Sequence, residues 1–298
     1  MQALDSDTSH TIINMILIPS QKGQLGNHLF TLLHFTSTAI EHGLSVRYPC
    51  FNYPLDKFES LGTPSQLLHI SESGKQQNKS RRKFFKYLHR YFPTSPFHQS
   101  YVNHSEPHID TGKEEFHSLA EKKILICKGF GFRDKQNVIK HQNELRKIFQ
   151  ANADTRAAVD IYIQQAGISK NTTCIGIHIR RKDYKFYNNG KYFFSDNHWL
   201  CWFDQLVNIF QSGPNYIKII LFSDENVEHL TDNQKHIHTG PGDMYEDLEM
   251  MNRCDFLLAP PSTFSGWASF MGNVPILRLE SPDQNISKTD FYPAVGNA

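Results

Sequence analysis

The feature that most constrains the fold is the regular alternation of apolar runs and helical patterns between residues 173 and 279. Their periods predict strands at 173–179, 216–222, 235–238, 255–259 and 274–279, separated by helices at about 196–211, 225–230, 244–253 and 263–272. Strands and helices that alternate through short loops form parallel sheets covered by helices on both faces. This part of the chain is therefore predicted to be a doubly wound α/β domain.

The first half of the chain shows the same alternation of strands and helices, but less regularly. A strand at 11–18, a helix from about 28 to 42 that stops at Gly43, and a strand at 44–48 predict a βαβ unit. A strand at 124–127 and helices at 137–150 and 152–166 continue it. Residues 49–120 have no clean period apart from one segment near residues 79–92, and they are predicted as loops and short helices. The predicted domains are therefore 11–160 and 165–280, followed by a C-terminal tail at 281–298.

Composition and charge exclude several classes of protein. The net charge of +1 gives no sign of nucleic-acid binding, and no run of 18 apolar residues predicts a membrane-spanning helix. The 5 cysteines are widely spaced and form no CxxC pair, so neither a zinc site nor a disulfide framework is expected. Because the first residues do not have the pattern of a secretory signal, the expected location is the reducing cytoplasm.

The segment His178-Ile179-Arg180-Arg181-Lys182-Asp183-Tyr184 comes directly at the end of the predicted strand 173–179. Ligands of open α/β sheets bind outside the carboxyl ends of the strands. The planar, permanently charged fork of arginine suits phosphate oxygens, so Arg180 and Arg181 are candidate phosphate ligands. Asp183 can hold one of the two guanidinium groups in place. The alternative is a surface ion pair at a strand end.

Two more polar segments follow predicted strands. The turn that contains Gly26 and Asn27 precedes a helix, where glycine permits close approach of a ligand and the helix N-terminus favours anions. Ser223 and Asp224 follow the strand at 216–222 and are expected to line the same crevice. In both cases a simple helix cap is the alternative interpretation.

The last two segments flank the predicted strand at 255–259. Asp247, at the start of its helix, is placed to accept two hydrogen bonds from a purine edge such as guanine N1 and N2. Ser262, Thr263 and Phe264 open the following helix, where hydroxyl groups and free amides form a seat for phosphate. Ser262 and Thr263 are alternatively caps, and Phe264 is either a core residue or a wall against a ring.

In this order, the segments GQLGN, HIRRKDY, FSDE, DLEMMNRCDFLLA and STFSGW resemble the motifs of the α-1,2-fucosyltransferase family, which is glycosyltransferase family 11. They also resemble the wider superfamily of α-1,6- and protein O-fucosyltransferases. The resemblance spans about residues 15–280, and the ordered set is far more specific than any single motif. The chain departs from the family at Lys182, where a small residue is usual, at Gly266, where Trp is usual, and at His28, where Gln is usual.

The resemblance implies an α/β GT-B fold, with two Rossmann-like domains that face a cleft. It also implies transfer of fucose from GDP-fucose, inversion at the sugar and no metal ion or other cofactor. By position, Arg180 and Arg181 match the family's phosphate ligands, His178 and Asp183 their flanking residues, and Asp247 the guanine ligand. The turn Ser262-Thr263-Phe264 matches the diphosphate seat, and Asn27 matches a cleft asparagine.

A metal-free mechanism places two demands on the side chains. Arg180, alone or together with Arg181, must stabilise the charge of the leaving diphosphate, because such preorganised charge is usually the largest catalytic contribution. The acceptor hydroxyl must also lose a proton, for which Asp183, Glu246 and His178 are candidates and the departing phosphate is an alternative. The literal DxD, Asp5-Ser6-Asp7, lies in a terminal segment expected to be disordered and is a poor magnesium site.

A basic aromatic segment at residues 75–92 stands apart from these motifs. It contains no acidic residue, and Phe84, Phe85, Leu88, Tyr91 and Phe92 recur at helical spacing. Such a helix can lie on an anionic membrane, at the inner face of which a lipid-linked acceptor would be found. The alternatives are a helix that packs on the core and exposes a basic face, or an RNA-binding patch.

Together these features predict an inverting transferase that moves L-fucose to a glycan hydroxyl, with an α-1,2 linkage to galactose as the leading expectation. The expected partners are GDP-fucose, a glycan acceptor and, through residues 75–92, a membrane surface, but no nucleic acid. Two alternatives remain open: a related GT-B transferase with another GDP-sugar or a protein acceptor, and an inactive homologue that only binds a nucleotide sugar.

Overall fold

A computed structural model describes residues 14–19, 23–72, 75–104, 106–211, 216–231 and 235–294. These residues form two compact units. The first contains the described residues up to Gly23 together with Thr31–Leu55 and Leu61–Leu145, and the second contains Gln24–Phe30, Asp56–Ser60 and the residues from Arg146 onward. Each unit is built on a sheet of parallel strands, which confirms the predicted α/β class.

The first unit is organised around five strands in the order β3-β2-β1-β6-β4, all paired in parallel. Its strands are β1 (Met15–Leu17), β2 (Ser45–Phe51), β3 (Leu68–Glu72), β4 (His98–Val102), β5 (Ile109–Asp110), β6 (Ile124–Lys128) and β7 (Phe132–Arg133). Its helices are α1 (Leu25–His42), α2 (Lys75–Tyr91), α3 (Glu114–Ala120), α4 (Lys135–Lys140) and α5 (Gln142–Ile148), although α1 begins and α5 ends in the second unit. A separate pair joins β5 and β7.

The region 49–120 contains more regular structure than its sequence predicted. Strands β3 and β4 replace expected loops, whereas the 17-residue helix α2 confirms the helical spacing predicted within residues 75–92. Histidine, glutamine and serine occupy much of β3 and β4, so their apolar signal is weak, and pairing with β2 and β6 supplies the stability. The predicted strand at 11–18 is observed as β1, and residues 11–13 lie outside the described residues.

The second unit follows the predicted rhythm closely. Its strands are β8 (Thr172–Ile179), β9 (Tyr216–Ser223), β10 (Ile237–Thr239), β11 (Phe256–Ala259), β12 (Pro275–Arg278) and β13 (Tyr292–Pro293). Its helices are α6 (Ala153–Gln165), α7 (Asp196–Phe210), α8 (Met244–Met251) and α9 (Thr263–Gly272). The sheet order is β10-β9-β8-β11-β12-β13, parallel except for β13. Since the strand order reverses beside β8, the carboxyl ends of β8 and β11 flank a topological switch point.

Aromatic residues of α7 dominate the core of this unit. Trp199, Trp202 and Phe203 are at most 1% exposed and pack in one cluster with the β8 residues Ile175 and Ile177. Burial of such side chains contributes roughly 1.5–3 kcal/mol each. The core therefore anchors β8, the strand from which the HIRRKDY segment emerges.

The observed boundary between the units differs from the sequence-based one. Helix α6 was assigned by sequence to the first domain, but it packs on α8 and belongs to the second unit. The segment predicted as a tail contributes β13 and the buried residues Phe291 and Ala294. All five cysteines are free thiols, and Cys127, Cys174 and Cys254 are buried. Among the described residues, no helix combines the length and the apolar character needed to cross a membrane.

Candidate functional site

The predicted polar segments of the second unit meet at the carboxyl end of its sheet. The loops after β10, β9, β8 and β11 follow neighbouring strands, so their residues converge at one edge. A cavity of about 440 Å³ lies there. Its lining consists of Gln24, Leu25, His178, Arg180, Lys182, Asp183, Phe222, Ser223, Asp224, Gly242, Met244, Asp247 and Phe264. Most of the predicted site residues of this unit therefore share one concave surface.

Arg180 provides the central cation of the cavity. It follows β8 directly and is 8% exposed. Its Nη1 lies 3.2 Å from Asp224 Oδ2, its Nη2 is paired with Asp183, and its guanidinium covers the Tyr184 ring at 5.0 Å from the centroid. Its Nε is buried without a hydrogen-bond partner. The guanidinium is thus held in place before any ligand binds.

Arg181 has a different role in the observed structure. Its Nη1 donates to the carbonyl of Phe194 at 2.7 Å, and its Nη2 is paired with Asp196 at the start of α7. The Arg181 backbone amide donates to Asp224 Oδ1 at 2.9 Å. Its side chain does not belong to the cavity lining. Arg181 therefore braces the segment between β8 and α7, and its predicted contact with phosphate is untested.

His178 is buried at the end of β8 and lines the cavity. Burial, reinforced by the charge of Arg180, lowers the pKa of His178 to about 3. Its ring lies 5.3 Å from that of Phe264, and its Nδ1 has no hydrogen-bond partner. At neutral pH this imidazole is uncharged and a weak base, but it remains able to form a hydrogen bond inside the cavity.

Ser223 and Asp224 close the side of the cavity formed by β9. Asp224 connects the guanidinium of Arg180 with the backbone of Arg181, so it fixes the geometry of the turn after β8. The Ser223 hydroxyl accepts a hydrogen bond from the Glu225 amide at 3.2 Å. The helix predicted at 225–230 is only a short 3₁₀ turn at Glu228–Leu230, and the capping contact comes from Ser223 rather than Asp224.

Asp247 lies in the first turn of α8, as the sequence predicted, and it is 9% exposed. Burial raises its pKa to about 6, with smaller contributions from Asp243 and Glu246, while a hydrogen bond from the Gly242 amide opposes the rise. That amide donates to Oδ1 at 2.9 Å. The other carboxylate oxygen has no partner among the described residues. A buried carboxylate with a free oxygen is suited to two neighbouring N–H donors.

The turn after β11 is held by a tyrosine of the HIRRKDY segment. Ser262 caps α9 by accepting from the Phe264 amide at 3.2 Å, and the Tyr184 hydroxyl donates to the carbonyl of Pro261 at 2.5 Å. Phe264 lines the cavity, whereas Ser262 and Thr263 do not. The capping interpretation of Ser262 is therefore confirmed, and the first turn of α9 adds its partial positive charge at the cavity edge.

Gly26 is required by close packing. A Cβ atom at this position would lie 2.8 Å from Thr263 Oγ1 and 2.9 Å from the Phe264 amide nitrogen. The start of α1 thus approaches the start of α9 at a distance that only glycine allows. Asn27 lies half-buried in the next position and does not belong to the cavity lining, so its place in the cleft, which the resemblance implies, stays a prediction.

Several lining residues were missed by sequence reasoning. The sequence Gly240-Pro241-Gly242-Asp243 between β10 and α8 carried a recognisable turn signal, and its backbone flanks Asp247. A Cβ atom on Gly240 would lie 2.6 Å from the Phe222 ring. A second cavity of about 310 Å³ adjoins the first and shares Ser223, Gly242 and Asp247 with it. The missed lining residues of the first cavity are Gln24, Leu25, Lys182, Phe222, Gly242 and Met244.

No cluster of three or more His, Cys, Asp or Glu side chains among the described residues could hold a metal ion. Asp5 and Asp7, the ends of the only literal DxD, lie outside the described residues.

Solved fucosyltransferase structures share the fold of the chain. A variant of Arabidopsis thaliana FUT1 in complex with GDP is 13% identical, with a TM-score of 0.61 over 96% of this chain and 75% of that chain. Fucosyltransferase NodZ from Bradyrhizobium is 14% identical, with a TM-score of 0.53 over 89% and 96%. POFUT1 in complex with GDP-fucose is 12% identical, with a TM-score of 0.53 over 90% and 96%. These similarities confirm the predicted GT-B fold.

Sequence comparison identifies the family. No curated protein matches the chain significantly. The profile of glycosyl transferase family 11 matches residues 110–290, which is more than half of the 298 residues. The match covers the motifs from HIRRKDY to STFSGW and confirms the resemblance drawn from their order. The chain belongs to glycosyl transferase family 11.

Proposed function

We propose that the chain transfers L-fucose from GDP-fucose to a glycan hydroxyl, with inversion at the sugar carbon and formation of an α-1,2 linkage to galactose. The observation that carries this proposal is the placement of Arg180 and Asp247 in the lining of one cavity. A guanidinium suits a diphosphate, and a buried carboxylate suits the N1 and N2 donors of guanine. The family match and the fold shared with fucosyltransferases solved with GDP or GDP-fucose support the same donor.

The donor chemistry follows from the charges of the cavity. As the acceptor oxygen forms a bond to the sugar carbon, the bond from that carbon to the phosphate oxygen breaks, and its electron pair remains on GDP. Arg180 stabilises the charge that develops there, assisted by the N-terminus of α9. Asp183 and Asp224 hold Arg180 in position before the reaction begins. This preorganised charge supports a transfer without a metal ion.

The proton of the acceptor hydroxyl has two acceptors compatible with this arrangement. Asp183 lines the cavity, and its side chain is half-exposed, so it can reach a bound substrate. The departing phosphate oxygen is the other. His178 has a pKa of about 3 and is a poor general base at neutral pH, so its contribution is a hydrogen bond to substrate. Glu246 does not line the cavity.

An acceptor array tests the activity directly. Incubation with GDP-fucose should add one deoxyhexose to β-galactoside-terminated glycans, detected by mass spectrometry, with the α-1,2 linkage established by NMR of the product. Parallel reactions with GDP-mannose and with hydroxyl-bearing peptides cover the alternative donor and acceptor classes. GDP-fucose binding in calorimetry without transfer or hydrolysis would identify an inactive nucleotide-sugar-binding homologue and refute the enzymatic proposal.

We further propose that helix α2 rests on an anionic membrane surface at the cytoplasmic face, where it would meet an acceptor carried on a lipid. Phe84, Tyr87 and Tyr91 recur at the i, i+3 and i+7 spacing of one helical stripe. They are 59%, 56% and 57% exposed, whereas Phe85 and Leu88 of the predicted apolar face are half-buried. The aromatic rings of an interfacial helix occupy the headgroup region in this way.

The charges of α2 favour the same partner. Basic residues cluster to one side of the aromatic stripe, and Lys75–Tyr91 contains no acid. Each cation near an anionic surface contributes about 1 kcal/mol. The clustered residues are Lys79, Lys83, Lys86 and Arg90.

Vesicle flotation tests the membrane proposal. The wild-type protein should float with phosphatidylglycerol-containing vesicles, and replacement of Phe84, Tyr87 and Tyr91 by Ser should abolish flotation. Ile161→Ser, which changes a similarly exposed apolar residue of α6, is the matched control and should float normally. Equal flotation with neutral and anionic vesicles, or binding that nuclease removes, would refute the membrane proposal.

A further inference from the structure

Lys182 is the cation of the cavity that no carboxylate neutralises. It follows Arg181 at the start of the 3₁₀ turn Asp183–Lys185, and its exposed side chain belongs to the cavity lining. Among the described residues it forms no ion pair, whereas Lys185 on the same turn pairs with Glu225 at 3.3 Å. Its ammonium group is therefore available to a ligand.

The charges of the cavity lining show why an unpaired Lys182 matters for an anionic ligand. Two cations, Arg180 and Lys182, face three carboxylates, those of Asp183, Asp224 and Asp247. Both terminal nitrogens of Arg180 are engaged by Asp183 and Asp224. A nucleoside diphosphate carries several negative charges, and without Lys182 it would enter a lining whose only cation is already shared by two carboxylates.

Arg181 does not supply the missing charge in this arrangement. Its two terminal nitrogens bond to Phe194 and Asp196, and its side chain is 9% exposed. Of the two adjacent arginines, only Arg180 therefore directs its positive charge into the cavity.

We propose that Lys182 is a second cationic ligand of the diphosphate, beside Arg180, and that it compensates for the structural commitment of Arg181. This inference deepens the proposed function, since it rests on a nucleoside diphosphate binding in the cavity. It gives a physical meaning to the position at which the chain departs from the small residue of its family. The lysine provides affinity for phosphate that the paired arginine alone does not provide.

Calorimetric titration of GDP, GMP and guanosine tests the inference. In Lys182→Met, the GDP affinity should fall about tenfold, as expected for a charge-assisted hydrogen bond, the GMP affinity should fall less, and guanosine binding should be unchanged. Lys182→Arg should restore most of the GDP affinity. Lys185→Met is the matched control on the same turn and should bind GDP normally.

The graded series separates a phosphate contact from a structural effect. An equal loss for all three ligands, or a change in melting temperature that accounts for the loss, would overturn the inference. Unchanged GDP affinity in Lys182→Met would overturn it as well and would leave the proposed donor intact. If the wild-type protein binds no nucleoside diphosphate, both the inference and the proposed function fail. Binding of another nucleoside diphosphate that depends on Lys182 would preserve the inference and refute GDP-fucose as the donor.

Discussion

The pH dependence of GDP binding should report the state of Asp247. Burial raises the pKa of this carboxyl to about 6 in the free protein. Guanine N1 and N2 are both donors, so they require the ionised carboxylate. Binding should therefore be at full strength above about pH 7 and should weaken as the pH falls through about 6.

The magnitude follows from the ionised fraction. At one pH unit below the pKa of about 6, roughly one-tenth of the carboxyl groups are ionised. GDP affinity should then be about tenfold lower, which corresponds to ~1.4 kcal/mol. Asp247→Asn removes one acceptor oxygen and places an N–H group against the guanine donors, so it should weaken binding about 10- to 100-fold at high pH. The residual GDP affinity of Asp247→Asn should no longer vary with pH through the ionisation of residue 247.

Calorimetric titration of GDP between about pH 5 and 8 provides the measurement, with circular dichroism at each pH to verify folding. The phosphate of GDP also titrates in this range, and Asp247→Asn retains that contribution, so the difference between the two profiles isolates Asp247. Asp204→Asn, an exposed carboxylate of α7, is the control and should reproduce the wild-type profile. Identical pH profiles for wild type and Asp247→Asn would refute the guanine assignment.

Three further predictions concern the site and its support. Arg180→Ala should lower the transfer rate of the folded protein about 100-fold or more, because it removes the cation at the leaving group. Arg181→Ala should lower the free energy of unfolding by about 1–3 kcal/mol through the lost bonds to Phe194 and Asp196. Steady-state kinetics on folded protein and urea denaturation measure the two effects, and wild-type turnover in Arg180→Ala or unchanged stability in Arg181→Ala would contradict the assigned roles. Gly26→Ala should cost about 1–3 kcal/mol, because its Cβ would lie 2.8 Å from Thr263 Oγ1, while Gly62→Ala, whose Cβ would make ordinary contacts at 3.7 Å, is the control for the same denaturation assay. Dialysis against EDTA should leave the transfer rate unchanged, and a complete loss that Mg²⁺ restores would refute a metal-free mechanism.

Local signals predicted the second unit well. Helix α9 was predicted at its observed bounds. Strand β8, helix α7 and strand β11 each differ from their predicted bounds by one residue at one end. Strong apolar periodicity and short turns determine such elements before any tertiary contact forms. Strands β3 and β4 escaped prediction because polar residues occupy much of them and their stability comes from neighbours distant in sequence. The same reasoning found Arg180 through its position after a strand and Asp247 through its position at the start of a helix. It missed Gly240–Gly242, whose role depends on where Asp247 lies in the fold.

The amino-acid sequence alone therefore determined the α/β class of this protein, the turns that follow its strands and the chemical character of the HIRRKDY segment, because these depend on neighbours within a few residues. Only the tertiary structure decided which of three consecutive cationic side chains line the cavity. Arg180, Arg181 and Lys182 are consecutive after the end of β8, and their order in the sequence does not show which of their side chains face the cavity. The positions of Phe194 and Asp196 in the fold then commit Arg181 to the protein, and the absence of a nearby carboxylate partner among the described residues leaves Lys182 available to a ligand.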